Sequence, residues 1–514
     1  MKKWLPVAVS GLLIGFSFPT FLFGHKLPNL GFLAWFGLAP LLWLLKNVCW
    51  KRAFLYGWLT SMIYFFFSFH WLYIALHVYG YLNPVVSVLI PLLLASVLAL
   101  YVGAACALAK GLEKNCGAPF LFLFPAAFTL FEWARNYTPF NGFPWGNLTM
   151  SQASYTWLIQ ISDITGVYGV IFLVALINVW LTESFWHLRQ KEISKYIPKT
   201  ILMVCLVGFV LGYGALRCQK VTKETKEAPR MKIGLIQPNI PQDEKWDPAS
   251  MEKQVDFFAQ AVESLEKHVD LIVWPEAGFT KVLNNADTFL PPAQIGISQE
   301  GQAITLLGAT TESFTANRRQ YYNSAVLVHS SGIILGRYHK THLVPFGEYI
   351  PLEKLFPFLK PLAVIGDFAP GLETEPLALA DWNVAPLICY EDIFPELSRS
   401  MVRQNAHLLI NMTNDAWYGY SSAPFQHVAM AQFRSAETKR AMVRATNTGV
   451  SAIIDPAGRL LLSTPIFERG VISYQVPLLT GQTLYVKFGD WFVAACFLFL
   501  TMQTILCLKN SKKI

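Results

Sequence analysis

Three short stretches hold residues able to do nucleophilic chemistry. "APLICYEDIFPE" (385–396) carries Cys389 between an apolar run and a group of acids. "VDLIVWPE" (269–276) ends on Glu276, and "GRYHKTHLVPFGEY" (336–349) carries Lys340 and Glu348. A thiolate is a strong nucleophile, and a nearby carboxylate can take the thiol proton. A lysine ammonium can hold the oxyanion of a tetrahedral intermediate, and so can the backbone N–H after the nucleophile, here that of Tyr390. Such parts suit acyl transfer through a thioester. Glu348 would orient Lys340 or Glu276 by hydrogen bonding. Glu391 would tune the charge of the site or hold Lys340.

Each residue also has a plainer reading. A free cysteine in an apolar strand is commonly a small buried hydrophobe. Glu276, after Trp-Pro, could cap a helix or accept loop N–H groups. Lys340 taken alone reads as solvated, and Asn414 and Asp415 could simply end a strand. His339 and His342 lack further ligands at metal-site spacing, so they read as loop residues, and no metal or cofactor is expected. Sequence spacing by itself does not bring Glu276, Lys340 and Cys389 together. The elements that carry them must do so.

Those elements are strands. β-rich runs recur at 231–237, 269–276, 303–310, 323–328, 383–390 and 406–413, with helical stretches at 248–267 and 425–440. Continuous apolar strands alternating with helices predict an α/β fold whose sheets are covered on both faces. In such sheets ligand sites gather beyond the carboxyl ends of strands, which is where the three residues stand.

Outside this segment the chain changes character. Hydrophobic residues make up 54% of it and charged residues only 14%, against about 25% in soluble domains. A transmembrane helix needs about 20 apolar residues. Eight spans are predicted, near 4–23, 28–45, 54–76, 84–108, 119–135, 161–186, 198–216 and 487–508. The first lacks a small-residue cleavage site and leads into another span, so it is read as retained. Glu132 and Arg135 mark the outer end of the fifth span or a polar site in the bundle.

The net charge of +8 does not read as a nucleic-acid face, because the basic residues cluster between apolar runs. Lys2 and Lys3, Lys46 to Arg52, Lys110 and Lys114, Arg189 to Lys199, and Lys509 to Lys513 fall in alternate loops. Cytoplasmic loops are the ones enriched in Lys and Arg. Both termini are therefore expected in the cytoplasm and residues 218–484 outside it. The expected division is a seven-span bundle at 1–217, a periplasmic catalytic domain at 218–484, and a last span with its tail at 485–514. Of eight cysteines, none forms a CxxC, so neither a disulfide framework nor a zinc site is expected.

"VWPEAGF", "YHKTHLVPFGEYIP" and "LICYEDIFPE" resemble the three signature segments of the nitrilase, or carbon–nitrogen hydrolase, superfamily. That resemblance implies an αββα sandwich and a Glu276–Lys340–Cys389 triad supported by Glu348. "IQPNIPQDEKWDP" (236–248), "NGFPWGNL" (141–148), "NMTNDAWYG" (411–419) and 425–461 are further similar to the apolipoprotein N-acyltransferase family, as is the order of seven spans, catalytic domain, one span. "SSAPFQH" departs from it slightly, with Ala423 where a glycine is common.

The resemblance implies transfer of an acyl chain from a phospholipid, typically phosphatidylethanolamine, to the N-terminal cysteine of a diacylated apolipoprotein at the bacterial inner membrane. It implies no cofactor and no nucleic acid, and the enzyme is expected as a monomer. Trp246 resembles a family tryptophan on a mobile loop near the site. Trp145 would line the access of acyl chains, or anchor an interfacial turn. The stretches 240–250 and 342–370, long and rich in Pro, Gly and aromatics, are candidate lids. A membrane-tethered amidase is the alternative.

Overall fold

The computed structural model describes residues 4–296, 303–315, 318–351 and 367–511. Two compact units account for it: residues 1–219 with 420–433 and 488–514, and residues 220–419 with 434–487.

The first unit is helical. Apolar runs and local punctuation set its elements. Pro84–Cys116 starts on Asn83, whose side chain accepts the N–H of Val85 at 2.9 Å, with Pro84 in the first turn, and stops at Gly117, which takes the left-handed conformation that glycine adopts without strain. Among the described residues four helices are long and apolar enough to cross a membrane: Pro84–Cys116, Val167–Arg189, Tyr196–Glu227 and Trp491–Lys509.

The other four expected spans are helical but fall short. The first expected span, 4–23, ends as a helix at Ser17, because Pro19 cannot continue it and a small hairpin of Phe21–Leu22 and His25–Lys26 follows. At 14 residues Trp4–Ser17 is about 21 Å long, against a hydrocarbon core of about 30 Å. Gly31–Leu45 and Phe120–Ala134 are similarly short. The third expected span stops as a regular helix at Ser68, and a π-helical turn, Ile74–Tyr79, takes up its last residues. Aromatic residues, Lys51 and Arg52 lower the hydropathy of that helix, Trp50–Ser68.

Buried polar groups tie this unit together. Arg135 pairs with Glu132 at 2.8 Å and donates to the carbonyls of Phe143 and Trp145 at 2.7 and 2.9 Å. The pair is thus a buried polar site that pins the 143–145 turn. Residues 420–433 pack here too: the Phe425 ring stacks on Phe21 at 5.8 Å, and the Ser422 hydroxyl accepts the N–H of Phe21 at 2.8 Å.

The second unit is a sandwich of two sheets. All six expected strands form. One sheet runs through Gly470–Pro477, Arg230–Gln237, Leu271–Val273, Ile304–Thr315, Arg318–Val328 and Ile334–His339, with Phe279–Asn284 beside Ile304–Thr315. The other runs through Leu460–Ser463, Ala452–Ile454, Ala441–Thr446, Leu408–Thr413, Trp382–Ile388 and Leu377–Leu379. Leu408–Thr413 and Ala441–Thr446 are buried at every residue, Asn411 and Arg444 included.

Helix Pro248–Glu266 lays Phe258, Val262 and Leu265 on Ile236, Ile272 and Trp274. The Trp274 ring stacks on Phe258 at 3.9 Å. Between the sheets, the buried Gln237 carbonyl oxygen accepts the hydroxyls of Thr446, Ser451 and Thr464 at 3.0, 2.6 and 2.7 Å.

Candidate active site

Each expected triad residue leaves the end of a strand of the sandwich. Glu276 follows Leu271–Val273 by a Trp-Pro step, Lys340 directly follows Ile334–His339, and Cys389 directly follows Trp382–Ile388. The backbone around Glu276 passes so close to the next strand that a side chain on Gly308 would meet the Pro275 carbonyl at 2.4 Å. Glycine is therefore required there.

Cys389 sits at φ +50°, a left-handed conformation uncommon outside glycine. Neighbouring groups hold it. The Asn411 amide donates to the carbonyls of both Leu387 and Cys389 at 3.1 Å. The Ile388 N–H donates to Glu391 at 2.7 Å. Burial pushes the thiol well above its ordinary range; the charges of Glu276 and Asp415 add to this, while Lys340 and the Thr413 hydroxyl oppose it. A thiol so placed needs a base to become a nucleophile.

Glu276 is the expected base. Its Oε2 accepts the N–H of Asn414 at 3.0 Å, and its Oε1 accepts the Asn323 amide at 2.7 Å and lies 3.5 Å from Lys340 Nζ. Lys340 is buried, and its ammonium also meets Glu348 at 2.9 Å. Burial works to lower the lysine's pKa, but Glu348 and Glu276 together hold it above its usual range. It stays a cation. Glu348 in turn accepts the second N–H of the Asn323 amide at 2.9 Å and the Val344 N–H at 2.9 Å. Asn323 thus bridges the two glutamates that flank one lysine.

Glu391 feels the charge of Lys340 and also fastens the backbone around it. Its Oε1 accepts from the Tyr338 hydroxyl at 2.8 Å, the Thr341 N–H at 2.7 Å and the His342 N–H at 3.1 Å. With Ile388 on its other oxygen, it ties the backbone before Cys389 to the backbone just after Lys340. Burial raises its pKa against these donors. Tyr390 is buried and packs edge-on against Phe394 at 4.9 Å. The histidines are structural: the His339 ring meets the Ser324 hydroxyl at 2.7 Å, and His342 packs on Phe394 at 3.8 Å.

Trp246 is exposed, on the turn before helix Pro248–Glu266. Trp145 is buried in the helical unit, its indole N–H on Gln426 at 2.7 Å and its ring 4.9 Å from Trp71. The candidate lid 342–370 lies partly outside the described residues.

Reading the sequence missed Asn323, Asn411 and Lys245. Asn323 opens the run "NSAVLV" and was indistinguishable from any polar strand start. Asn411 is a buried amide inside an apolar strand, which is unusual enough to have been a hint. Lys245 is nearly fully buried, and its ammonium donates to the Glu276 carbonyl at 3.0 Å.

The comparisons with known proteins agree with one another. Residues 10–180 match the family described as apolipoprotein N-acyltransferase N-terminal domain, and residues 232–484 match carbon-nitrogen hydrolase. A Geobacter metallireducens protein named apolipoprotein N-acyltransferase is 36% identical over 503 residues, 96% of this chain and 93% of that one. The protein of that name from Methylococcus capsulatus is 33% identical with the same coverage, and the one from Nitrosomonas europaea is 34% identical over 89% of each chain.

Proposed function

This chain belongs to the apolipoprotein N-acyltransferase family, and from that premise we propose that it moves a fatty acyl chain from a phospholipid, through a thioester on Cys389, to the α-amino group of a diacylglyceryl-cysteine at the N-terminus of an apolipoprotein. The observation that carries the reading is the cluster of Glu276 and Lys340, 3.5 Å apart, whose charges act on a buried Cys389 at a strained turn.

In the first half-reaction Glu276 takes the proton of Cys389 and the thiolate attacks the ester carbonyl. Lys340 and the Tyr390 N–H hold the oxyanion. Collapse breaks the ester C–O bond, and Glu276 returns the proton to the departing lysophospholipid oxygen. In the second half-reaction the amine attacks the thioester while Glu276 accepts its proton; the C–S bond breaks, and Glu276 passes that proton to the departing Cys389 sulfur, restoring the free thiol and the carboxylate. An ester becomes a thioester and then an amide, so no nucleotide is consumed. Two successive lipid substrates on one nucleophile make this a ping-pong scheme.

Both substrates are anchored in a bilayer, which favours a helical unit over a soluble scaffold. The proposed topology is eight spans in the bacterial inner membrane, with both termini cytoplasmic and the sandwich periplasmic. It rests on the alternation of basic loops. The short helices would cross a locally thinned bilayer or be completed by flanking non-helical residues. Phosphatidylethanolamine is the proposed donor and a monomer the proposed state. Trp246 and Trp145 are the proposed lipid contacts. The amidase alternative leaves the helical unit without a purpose.

The test uses full-length protein with phosphatidylethanolamine vesicles. Mass spectrometry should find one acyl chain on Cys389, discharged by a diacylated lipopeptide with formation of its amide. Cys389→Ser should form neither adduct nor product. A Cys389→Ser protein that still N-acylates would overturn the assignment, and a thioester discharged only by water would favour the amidase.

A further inference from the structure

The turn "QDEKWD" between strand Arg230–Gln237 and helix Pro248–Glu266 presents neighbouring residues in opposite directions. Trp246 is 49% exposed, while Lys245 before it is 2% exposed. The turn is held at its base: the Ile240 N–H donates to Asn447 at 2.9 Å, and Gln242 accepts the Asn414 amide at 2.8 Å. The buried Gln254 amide donates to the Glu244 carbonyl at 3.1 Å. Asp247 caps the following helix through the Ala249 N–H at 3.0 Å.

A lysine buried here is expensive. An ammonium removed from water costs several kcal/mol unless opposite charge compensates it. Among the described contacts Lys245 forms no ion pair; it donates to a backbone carbonyl, that of Glu276. The negative charges that act on it are those of Glu276 and Cys389.

Charge counting explains why a second cation belongs there. Lys340 is shared: it meets Glu348 at 2.9 Å and Glu276 at 3.5 Å, so two carboxylates face one cation. One of these negative charges then moves during the reaction: from Glu276 to Cys389 on proton transfer, and onto the oxyanion after attack. Lys245 is a second cation available to that mobile charge, beside Lys340.

We infer that Lys245 is a positioning residue of the catalytic centre, an electrostatic partner that stabilises the Cys389 thiolate and fixes the Glu276 backbone. This rests on Cys389 being the nucleophile and Glu276 its base. Burial pulls the lysine down to about 8, opposed by Glu276 and Cys389, so the support it lends is present below pH 8 and fades above it. The other groups acting on the thiol are Glu276, Lys340, Asp415 and Thr413, with Tyr418 and Tyr390 beside them. None of these belongs to the Lys245 turn.

The test is site-resolved alkylation of Cys389 by iodoacetamide from pH 6 to 10, on full-length protein in detergent. Lys245→Gln keeps a donor for the Glu276 carbonyl and removes the charge. It should slow alkylation at pH 7 about tenfold and move the midpoint upward, since one neighbouring charge shifts a buried pKa by about a unit or more. Lys245→Arg keeps a charge that does not titrate in this range. It should match the wild type below pH 7 and lose the wild-type inflection near pH 8. A Lys245→Gln profile superimposable on the wild type overturns the inference, as does an unaltered Lys245→Arg profile if the glutamine variant does not fold. Glu276→Gln, run in parallel, separates the two readings: if its profile moves while the Lys245 profiles do not, the triad stands and Lys245 is only packing. If Cys389 forms no acyl adduct in the wild type, the triad reading itself fails.

Discussion

In the helical unit Arg135 meets one carboxylate, Glu132, at 2.8 Å and donates to two fixed carbonyls. In the sandwich Lys340 meets two carboxylates, Glu348 at 2.9 Å and Glu276 at 3.5 Å, and the charge of Glu276 acts on the Cys389 thiol. The first arrangement is closed, each charge matched and no proton with anywhere to go. The second is open, with more ionisable groups than a static pairing needs. Buried charge in the bundle holds a turn in place; buried charge in the sandwich can be redistributed during a reaction. Burial alone therefore does not distinguish structural from catalytic ion pairs, but the number of partners sharing a charge does.

The comparison can be broken at its open end first. Glu276→Gln should lower acyl transfer by about 10²–10⁴-fold, the usual contribution of a general base. The same change removes a charge that raises the Cys389 thiol, so the midpoint of Cys389 alkylation should move to lower pH even as turnover collapses. A midpoint that moved upward would mean Glu276 acts on something other than the thiol.

At the closed end, Arg135→Met leaves Glu132 buried without its partner. That should cost about 3–5 kcal/mol of stability, while Glu132→Gln with Arg135→Met should recover most of it. Thermal unfolding of the full chain in detergent measures both, and the alkylation profile of Cys389 should be unchanged in the double variant. A shifted profile would show that this pair is not purely structural.

The smallest effect is expected at Trp246. As an exposed side chain its replacement by alanine should raise the KM for vesicle phospholipid severalfold and leave kcat nearly intact, because uniform binding is lost without any change at the reacting atoms. An equal loss in kcat would instead assign the tryptophan to the step after binding.

Much of this was written in the chain. The six strands were legible because buried strands are continuous apolar runs, and Cys389, Lys340 and Glu276 were visible as reactive types at or just past strand ends. The eight spans were less so. Apolar length counts residues, whereas helix length depends on where Pro19 and the turn after Ser68 interrupt the backbone. The sequence leaves Glu391 as a charge that tunes the site or holds Lys340, and the Lys340 charge does act on it. Only its donors, Tyr338, Thr341, His342 and Ile388, show it to be a fastening.

Residue type and order thus determined the nitrilase-like domain, the family and which groups are expected to react, since these depend on chemistry carried along the chain. Tertiary structure alone decided which groups share charge. Asn323 lies 47 residues from Glu276 and Lys245 lies 31 before it, and no local pattern encodes a hydrogen bond across that separation. The strain at Cys389 is likewise a property of its surroundings, because Asn411 and Glu391 hold a backbone conformation that cysteine does not choose for itself.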